Sequence, residues 1–341
     1  MAALKMAERI LQLRTRRQAP LRPISLTVAN WNVNLGAEGS RTQPKLAVLR
    51  RLARADGVSL AMLQEVAPGG LIRLQELVDE GVYGAVIASP VPKLAPPKRS
   101  VLLVGRQFRI QQQVRTVHGV KAPHKLVWVI LNHESGVKIT VASFHVVPAS
   151  QYGREAKRDT FRAIVRWMAS QTSRTIVGID ANSPITDAYC DEHGPECLCE
   201  TRYFPGRLLG LAHGRRFEDP KRDSSRPRWT FDQEEYLLHD RLSAPPLLRH
   251  SFHDLLRSFL RRDHAAATVA RSHFLKIAKK QPNEGCLAVS HINRGNKRRF
   301  DFIYGTPDIV PRRVEYRWKA AHMAGADHAV VIAAIEITDR R

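Results

Sequence analysis

Strand-like and helix-like segments alternate from the start of the chain, and this alternation constrains its fold more than any other feature. Residues 25–34 and 58–64 have the pattern of strands, whereas residues 44–55 and 70–79 have the spacing of amphipathic helices. This βαβα opening is typical of α/β proteins. The apolar run AVVIAAIEI at residues 329–337 predicts a buried strand near the C-terminus.

The segments between these ends predict further strands and one more helix. Strand patterns occur at residues 82–88, 101–104, 125–132, 137–146, 175–179, 299–305 and 310–317. The first four have no helix pattern between them, which indicates antiparallel pairing, and residues 154–169 have helical spacing. We therefore expect two packed mixed β-sheets with helices outside them.

A stretch with few strand signals, about residues 183–296, interrupts this order. It is rich in proline and arginine and has one clear helix pattern, around residues 251–280. We interpret it as a basic, partly helical insert within one domain that spans residues 24–341. Residues 1–23 are predicted to form a basic N-terminal arm, for which a mitochondrial transit peptide is the alternative.

The charge of the chain favours a polyanionic partner. The 341 residues include 54 lysines and arginines against 32 acidic residues, a formal net charge of +22. Such a surface attracts nucleic acid first and an anionic membrane second. No apolar run approaches the roughly 18 residues of a membrane span, and we expect an intracellular, cytoplasmic protein.

Four cysteines are too few for a disulfide scaffold in a chain of this length. The group Cys190, His193, Cys197 and Cys199 is close enough in sequence for one structural Zn²⁺. The spacing of the last two cysteines strains a closed tetrahedral site, so ordinary reduced thiols are the preferred interpretation.

Polar side chains that end apolar runs form the most informative pattern. Ligands of α/β proteins gather at strand ends, so these residues are expected to converge. They are Asn32, Asn34, Glu65, His145, Asp180, Asn182, Asp301, Asp327 and His328. Carboxylate and amide oxygens suit Mg²⁺, and histidines beside carboxylates suit proton transfer or phosphate binding. The set predicts a divalent-metal site that acts on phosphate.

The order of these residues resembles the endonuclease/exonuclease/phosphatase superfamily, the deoxyribonuclease I-like proteins. The matching motifs are WNVN at 31–34, QE at 64–65, His145, GIDAN at 178–182, DFI at 301–303 and ADH at 326–328. Ile179 lies between the glycine and the aspartate of the fourth motif, and Ala326 replaces the usual serine of the last. Neither departure removes a functional side chain. Within the insert, only WTF at 229–231 is similar to a family segment.

The resemblance implies a four-layer α/β sandwich that hydrolyses phosphoester bonds with Mg²⁺, or Mn²⁺, as cofactor. Glu65 would hold the metal with Asn32, and Asp327 would be a further ligand. Asp180 would orient or deprotonate the attacking water. Asn182 would place that water and donate to the developing oxyanion.

Two histidines complete the expected catalytic set. His328 would contact the scissile phosphate, with its ring held by a hydrogen bond to Asp301 that favours the cationic form. His145 would lie on the phosphate or leaving-group side, and a packed structural histidine is the alternative. The other polar positions have structural alternatives too, as helix caps or turn residues.

Charge also separates the candidate substrates. A net charge of +22 suits a long polyanion, whereas a soluble inositol phosphate needs only a local basic pocket. The expected substrate-binding residues are Lys297, Arg298, Arg299, Asn34 and Trp229. We predict a divalent-metal-dependent phosphodiesterase, most specifically a nuclease acting on DNA or RNA. The alternatives are a phosphatase or phosphodiesterase for inositol phosphates or phospholipids, and a catalytically silent nucleic-acid-binding module.

Overall fold

Strands and helices alternate along the described part of the chain. The computed structural model describes residues 23–36, 39, 41–90, 98–111, 115–172, 174–185, 252–280, 287–293 and 296–338. The strands are β1 (Ile24–Leu35), β2 (Val58–Val66), β3 (Ala85–Ala88), β4 (Arg99–Val104), β5 (Phe108–Ile110), β6 (Leu126–His133), β7 (Lys138–His145), β8 (Thr175–Ile185), β9 (His253–Asp254), β10 (His291–Asn293), β11 (Asn296–Gly305), β12 (Ile309–Arg317) and β13 (Val330–Ile337). The helices are α1 (Thr42–Arg54), α2 (Pro68–Asp79), α3 (Ala149–Tyr152), α4 (Arg154–Ala169), α5 (Leu255–Leu260), α6 (His264–Lys280) and α7 (Trp318–Met323), with a 3₁₀ turn at Pro123–Lys125.

These strands form two mixed sheets. The first has six strands in the order β12-β13-β1-β2-β4-β3. The second has seven, with the path β10-β11-β8-β7-β6-β5 and β9 paired to β11. The pairs β1–β2 and β7–β8 are parallel, and the other pairs are antiparallel. The predicted α/β sandwich of two mixed sheets is confirmed.

Apolar side chains on alternate faces of the strands separate the structure into layers. Val28 and Val141 belong to the core in which the two sheets face each other. Leu46 and Leu74 pack from α1 and α2 on the outer face of the first sheet. Phe161 packs from α4 on the outer face of the second sheet. The arrangement is therefore helix, sheet, sheet, helix.

A network of buried amides joins the two sheets. Gln64 Nε2 donates to Asn30 Oδ1 at 2.8 Å and to Ser143 Oγ at 3.0 Å. Asn30 Nδ2 donates to the carbonyl oxygens of Ile179 and Phe302, both at 3.2 Å. Because buried polar groups are costly without partners, these bonds fix the position of one sheet relative to the other.

Part of the predicted insert belongs to the second sheet. The strands β9 and β10 both pair with β11, and Leu255 of α5 is buried in the core between the sheets. The N-terminal arm up to residue 22, the cysteine and histidine cluster, and Trp229 lie outside the described residues. No helix in the described ranges has the length and apolar character needed to cross a bilayer.

Candidate active site

Asn32 and Glu65 meet at the ends of two neighbouring parallel strands. Asn32 on β1 lies opposite Gln64 on β2, and the regular register is interrupted beyond that pair. Glu65 has a φ of 58°, a left-handed conformation that is uncommon for residues other than glycine. Asn32 Nδ2 lies 3.4 Å from Glu65 Oε1. The distorted backbone thus brings the carboxylate to the side-chain amide of the adjacent strand.

The amide of Asn32 also reaches Asp180 in the second sheet. Asn32 Nδ2 donates to Asp180 Oδ2 at 2.8 Å. Asp180 is fully buried, and its Oδ1 accepts a bond of 2.9 Å from the backbone N–H of Asn182. Asn182 has a φ of 47°, as expected for a residue that turns the chain sharply. One amide nitrogen therefore links the carboxylates of Glu65 and Asp180 across the two sheets.

His145 lies beside Asp180 because parallel strands β7 and β8 pair these two residues. His145 Nε2 is 3.5 Å from Asp180 Oδ2 and 3.7 Å from Glu65 Oε1. Asn182 Nδ2 lies 2.7 Å from the same ring nitrogen. Burial lowers the pKa of His145 to about 4, and the neighbouring ammonium of Lys125 acts in the same direction. The ring is therefore uncharged at neutral pH.

His328 and Asp301 form the opposite side of the site. Asp301 on β11 lies across from Asp180 on β8, and its Oδ2 is 2.8 Å from His328 Nδ1. His328 Nε2 lies 4.0 Å from Asp180 Oδ2. Burial opposes the charged form of His328, but Asp301 and Asp180 outweigh it and raise its pKa to about 10. His328 is therefore an imidazolium cation at neutral pH.

The raised pKa of His328 predicts a pH-dependent contribution to stability. Such a group stabilises the fold fully below its unfolded-state pKa of 6.5 and loses that contribution as the pH rises through about 10. The difference in free energy of unfolding between wild type and His328→Gln should therefore shrink across this window, as urea denaturation would measure. His322→Gln, at an exposed position of α7, should show the pH dependence of the wild type. A difference for His328→Gln that stays constant from pH 6.5 to 10 would contradict the assignment.

The oxygen atoms of this site suit a hard divalent cation. Asn32 Oδ1 and Asp301 Oδ1 are buried, and neither has a hydrogen-bond partner within the described ranges. Asp180 and Asp301 each offer a carboxylate oxygen, and these two atoms lie within 4.8 Å of each other. The carboxylate of Glu65 is partly exposed beside Asn32. This donor set fits the Mg²⁺ that the resemblance implies.

Three residues near the site were not predicted from the sequence: Lys98, Lys125 and His291. Lys98 Nζ is 2.7 Å from Glu65 Oε2. Burial raises the pKa of Glu65, but His145 and the two lysines together lower it to about 2. Because His145 is uncharged at neutral pH, the lysines are the cations that keep Glu65 ionised there.

The position of Lys125 near the site could have been inferred from strand pairing, whereas that of His291 could not. Leu126 pairs with Phe144 in the β6–β7 hairpin, so the register alone places Lys125 across from His145. Lys125 Nζ is 2.9 Å from His145 Nδ1. His291 has no such signal. Its ring centroid lies 4.7 Å from that of His328, and it pairs with His328 through an isolated β-bridge.

The remaining predicted site residues differ in how exposed their side chains are. They are the metal ligand Asp327 and the substrate-binding residues Lys297, Arg298, Arg299 and Asn34. Asp327 is exposed and offers a ligand atom within 4.8 Å of those of His291 and His328. Lys297 is exposed, Arg298 is half-buried, and Arg299 is fully buried. Asn34 is exposed and lines a cavity beside the site.

Arg299 has a structural environment and does not face solvent. Its Nη2 forms an ion pair with Asp254 at 2.5 Å, and its Nε donates to the hydroxyl oxygen of Tyr316 at 2.9 Å. Its guanidinium also lies 4.4 Å from the ring centroid of Phe302. We therefore assign Arg299 to the core, since a phosphate could contact it only after these groups separate.

The fold has counterparts among solved structures. Neither a protein-family model nor a curated protein sequence matches the chain. D. rerio TDP2 complexed with a single-strand DNA product matches with a TM-score of 0.53 and 12% identity, over 91% of this chain and 98% of that chain.

Two further solved structures give the same result. An endonuclease/exonuclease/phosphatase protein from Bacteroides vulgatus has a TM-score of 0.53 and 14% identity, over 92% of this chain and 99% of that chain. The human nocturnin catalytic domain with bound sulfate has a TM-score of 0.52 and 13% identity, over 92% of this chain and 95% of that chain. The resemblance inferred from the sequence is confirmed at the level of fold: the chain has the α/β sandwich of the endonuclease/exonuclease/phosphatase superfamily.

Proposed function

We propose that this protein is a divalent-metal-dependent phosphodiesterase and, specifically, a nuclease. One observation carries the proposal: Asn32 Nδ2 lies within 3.4 Å of Glu65 Oε1 and 2.8 Å of Asp180 Oδ2. A metal-binding carboxylate and a candidate base are thereby held together at the junction of the two sheets. His328 lies 4.0 Å from the same Asp180 oxygen. These groups match the needs of phosphodiester hydrolysis, which are an activated water and neutralised phosphate charge.

Glu65 and the buried Oδ1 of Asn32 would hold the cation, with Asp327 as a further ligand. When bound, Mg²⁺ supplies positive charge to the nonbridging oxygens of the phosphate. The chain itself provides the base. Asp180 has no contact with bulk solvent, and its Oδ2 lies near His145 and His328. This carboxylate would orient the attacking water and accept its proton.

His328 would bind the phosphate, and Asn182 and His145 would lie beside it. The imidazolium of His328 supplies a fixed positive charge, and Asp301 fixes the ring through Nδ1 at 2.8 Å. Asn182 Nδ2 donates to the carbonyl oxygen of Val146 at 2.9 Å, which holds that amide beside Asp180. His145 would lie on the leaving-group side. Donors fixed before the reaction need no reorganisation as charge develops on the phosphate.

Nucleic acid is the proposed substrate class. The net charge of +22 favours a polymer with regularly spaced phosphates. The D. rerio TDP2 structure, which has the same fold, contains a single-strand DNA product. Exposed Lys297 and half-buried Arg298 lie on β11, the strand that carries Asp301, and could contact the backbone of such a polymer.

A cleavage panel tests the substrate class. Labelled single-stranded DNA, double-stranded DNA, abasic duplex and RNA would each be incubated with Mg²⁺ and with EDTA. We expect Mg²⁺-dependent cleavage of at least one of them. Faster release of phosphate or headgroup from inositol phosphates or phospholipids would instead favour a phosphatase or lipid phosphodiesterase. Salt-dependent binding of nucleic acid without turnover of any substrate would favour a silent binding module.

The variant Glu65→Gln tests the metal assignment. It keeps the size of the side chain but removes its charge, so the Mg²⁺ concentration for half-maximal activity should rise about 10- to 100-fold. Glu336→Gln is a matched control, because both carboxylates are 22% exposed and each is paired with a cation. The control should keep the wild-type Mg²⁺ dependence. An unchanged Mg²⁺ requirement in Glu65→Gln would remove Glu65 from the metal site.

A further inference from the structure

A basic cavity of about 300 Å³ lies between the end of β1 and the start of α1. Three glycines contribute to its wall, so little side-chain volume fills it. Gly325 has a φ of +76°, and a Cβ added there would lie 2.6 Å from Arg41 Cδ. Residues that line the cavity include Asn34, Arg41, Lys45, Gly36, Gly39 and Gly325.

Two cations line this cavity, and neither forms an ion pair within the described ranges. Lys45 is 5% exposed, and its ammonium donates to the carbonyl oxygen of Asn34 at 2.8 Å. That bond uses one of its three donors. Arg41 is exposed, with its aliphatic part packed on Gly325. A buried ammonium and an exposed guanidinium around one small cavity are typical of an anion site.

The local backbone adds to the positive potential. Helix α1 begins at Thr42, also a lining residue, and has no acidic residue in its first turn. The positive end of its dipole therefore lies at the cavity, and no acidic side chain of that first turn neutralises it. Burial lowers the pKa of Lys45 and so does the charge of Arg41, whereas Asp327 raises it. An anion in the cavity would relieve the repulsion between the two cations.

The cavity adjoins the proposed metal site on both of its edges. Asn34 follows Asn32 by two residues on β1, and Gly325 precedes Asp327 by two residues. The ammonium of Lys45 also interacts electrostatically with Asp327 and Glu65. A phosphodiester chain with one phosphate at the metal site would therefore have its next phosphate near Arg41 and Lys45.

We infer that this cavity is a second phosphate subsite, which binds the phosphate adjacent to the scissile one through Arg41 and Lys45. The inference rests on the proposed nuclease function and narrows its substrate to chains with consecutive phosphates. A substrate with a single phosphodiester would leave the subsite empty. Arg41, the cation changed in the test below, would act on substrate binding, because it touches neither Asp180 nor His328 among the contacts of the described residues.

A double-mutant cycle, in which one change is made in the substrate and the other in the protein, tests the subsite. Oligonucleotides with one neutral methylphosphonate, placed in turn at each phosphate flanking the cleavage position, would be compared with the unmodified chain. We expect one adjacent position to raise KM about 10-fold or more in wild type with little change in kcat. In Arg41→Ala, KM for the unmodified chain should rise similarly, and the methylphosphonate at that position should raise KM by a clearly smaller factor than in wild type, because only Lys45 still contacts that phosphate. Arg54→Ala, with the same charge change at an exposed position of α1, should retain the wild-type pattern.

A binding measurement separates this inference from the proposed function. Fluorescence anisotropy with the same oligonucleotides, performed on Asp180→Asn with and without Arg41→Ala, reports the subsite without requiring cleavage. Coupling means here that the methylphosphonate at one adjacent phosphate weakens binding less when Arg41 is replaced by alanine. Such coupling supports the subsite even if no substrate is cleaved. Cleavage by wild type without coupling at either adjacent phosphate would overturn the subsite and leave the nuclease proposal intact. Equal losses at every phosphate would also overturn it, since they would indicate general electrostatic attraction.

Discussion

The variant Asp180→Asn should lose about a thousandfold in kcat on any nucleic acid that the wild type cleaves. Asparagine has nearly the same shape as aspartate but cannot accept a proton at neutral pH. Asp180 accepts from Asn32 Nδ2 at 2.8 Å and from the N–H of Asn182 at 2.9 Å, and an amide oxygen can preserve one of these bonds. The variant should therefore stay folded while it loses the proposed base. Single-turnover cleavage with saturating Mg²⁺ measures the chemical step directly.

Asp159→Asn is the control for this charge change. Its side chain is 54% exposed on α4 and belongs to a surface pair with Arg162. Activity of the control should match the wild type, and circular dichroism should show the same fold for both variants. Full activity in Asp180→Asn would refute the hydrolytic mechanism proposed here.

The second large effect concerns stability. Arg299→Met should lower the free energy of unfolding by about 3–5 kcal/mol, because it leaves a buried carboxylate without its main cation. Arg299 Nη2 is 2.5 Å from Asp254 Oδ2, and both side chains are at most 2% exposed. Asp254 also caps α5 by accepting from the N–H of Leu256 at 3.0 Å. Loss of this partner would therefore also disturb the start of that helix, although Arg257 Nε remains 3.7 Å from Asp254 Oδ2.

Arg312→Met provides the comparison, since it also removes one arginine from a carboxylate partner. Arg312 is 58% exposed and pairs with Glu336 at the surface. Such pairs contribute about 0–1 kcal/mol, so its unfolding midpoint in urea should hardly move. Equal and small losses in both variants would indicate that Arg299 is accessible to solvent and would restore it as a candidate phosphate contact.

The long elements of the fold could be predicted because their sequences have clear periodicity. The helix pattern at residues 154–169 matches α4, and the apolar run at 329–337 contains β13. The strands β9 and β10 have two and three residues, too few for any pattern. Their positions depend on pairing with β11 in the folded chain. The sequence alone therefore assigned them to the insert.

The residues of the site likewise include some that the sequence predicts and some that it does not. Carboxylates that end apolar runs could be predicted for each sheet, because strand ends of one sheet meet at one edge. The meeting of the two edges, which the bond from Asn32 to Asp180 shows, is visible only in the structure. Arg299 could not be assigned correctly, because its partner Asp254 is 45 residues away and the residues before it on β11 are less buried. A run of basic residues such as 297–299 predicts side chains at the surface. Arg299 is the exception, and only its ion pair with Asp254 in the folded structure shows this. His291 similarly reaches the site through a long-range bridge to His328.

The amide network between the sheets has a consequence for how such a site can change over evolutionary time. Asn30 lies two positions before Asn32, and Gln64 lies directly before Glu65. Ile179, whose carbonyl oxygen accepts from Asn30, lies directly before Asp180. The proposed base and the proposed metal ligands come from separate sheets, so a slip of one sheet would pull them apart. Surface substitutions can then change a substrate preference, while the bonded amides preserve the alignment on which the proposed reaction would depend.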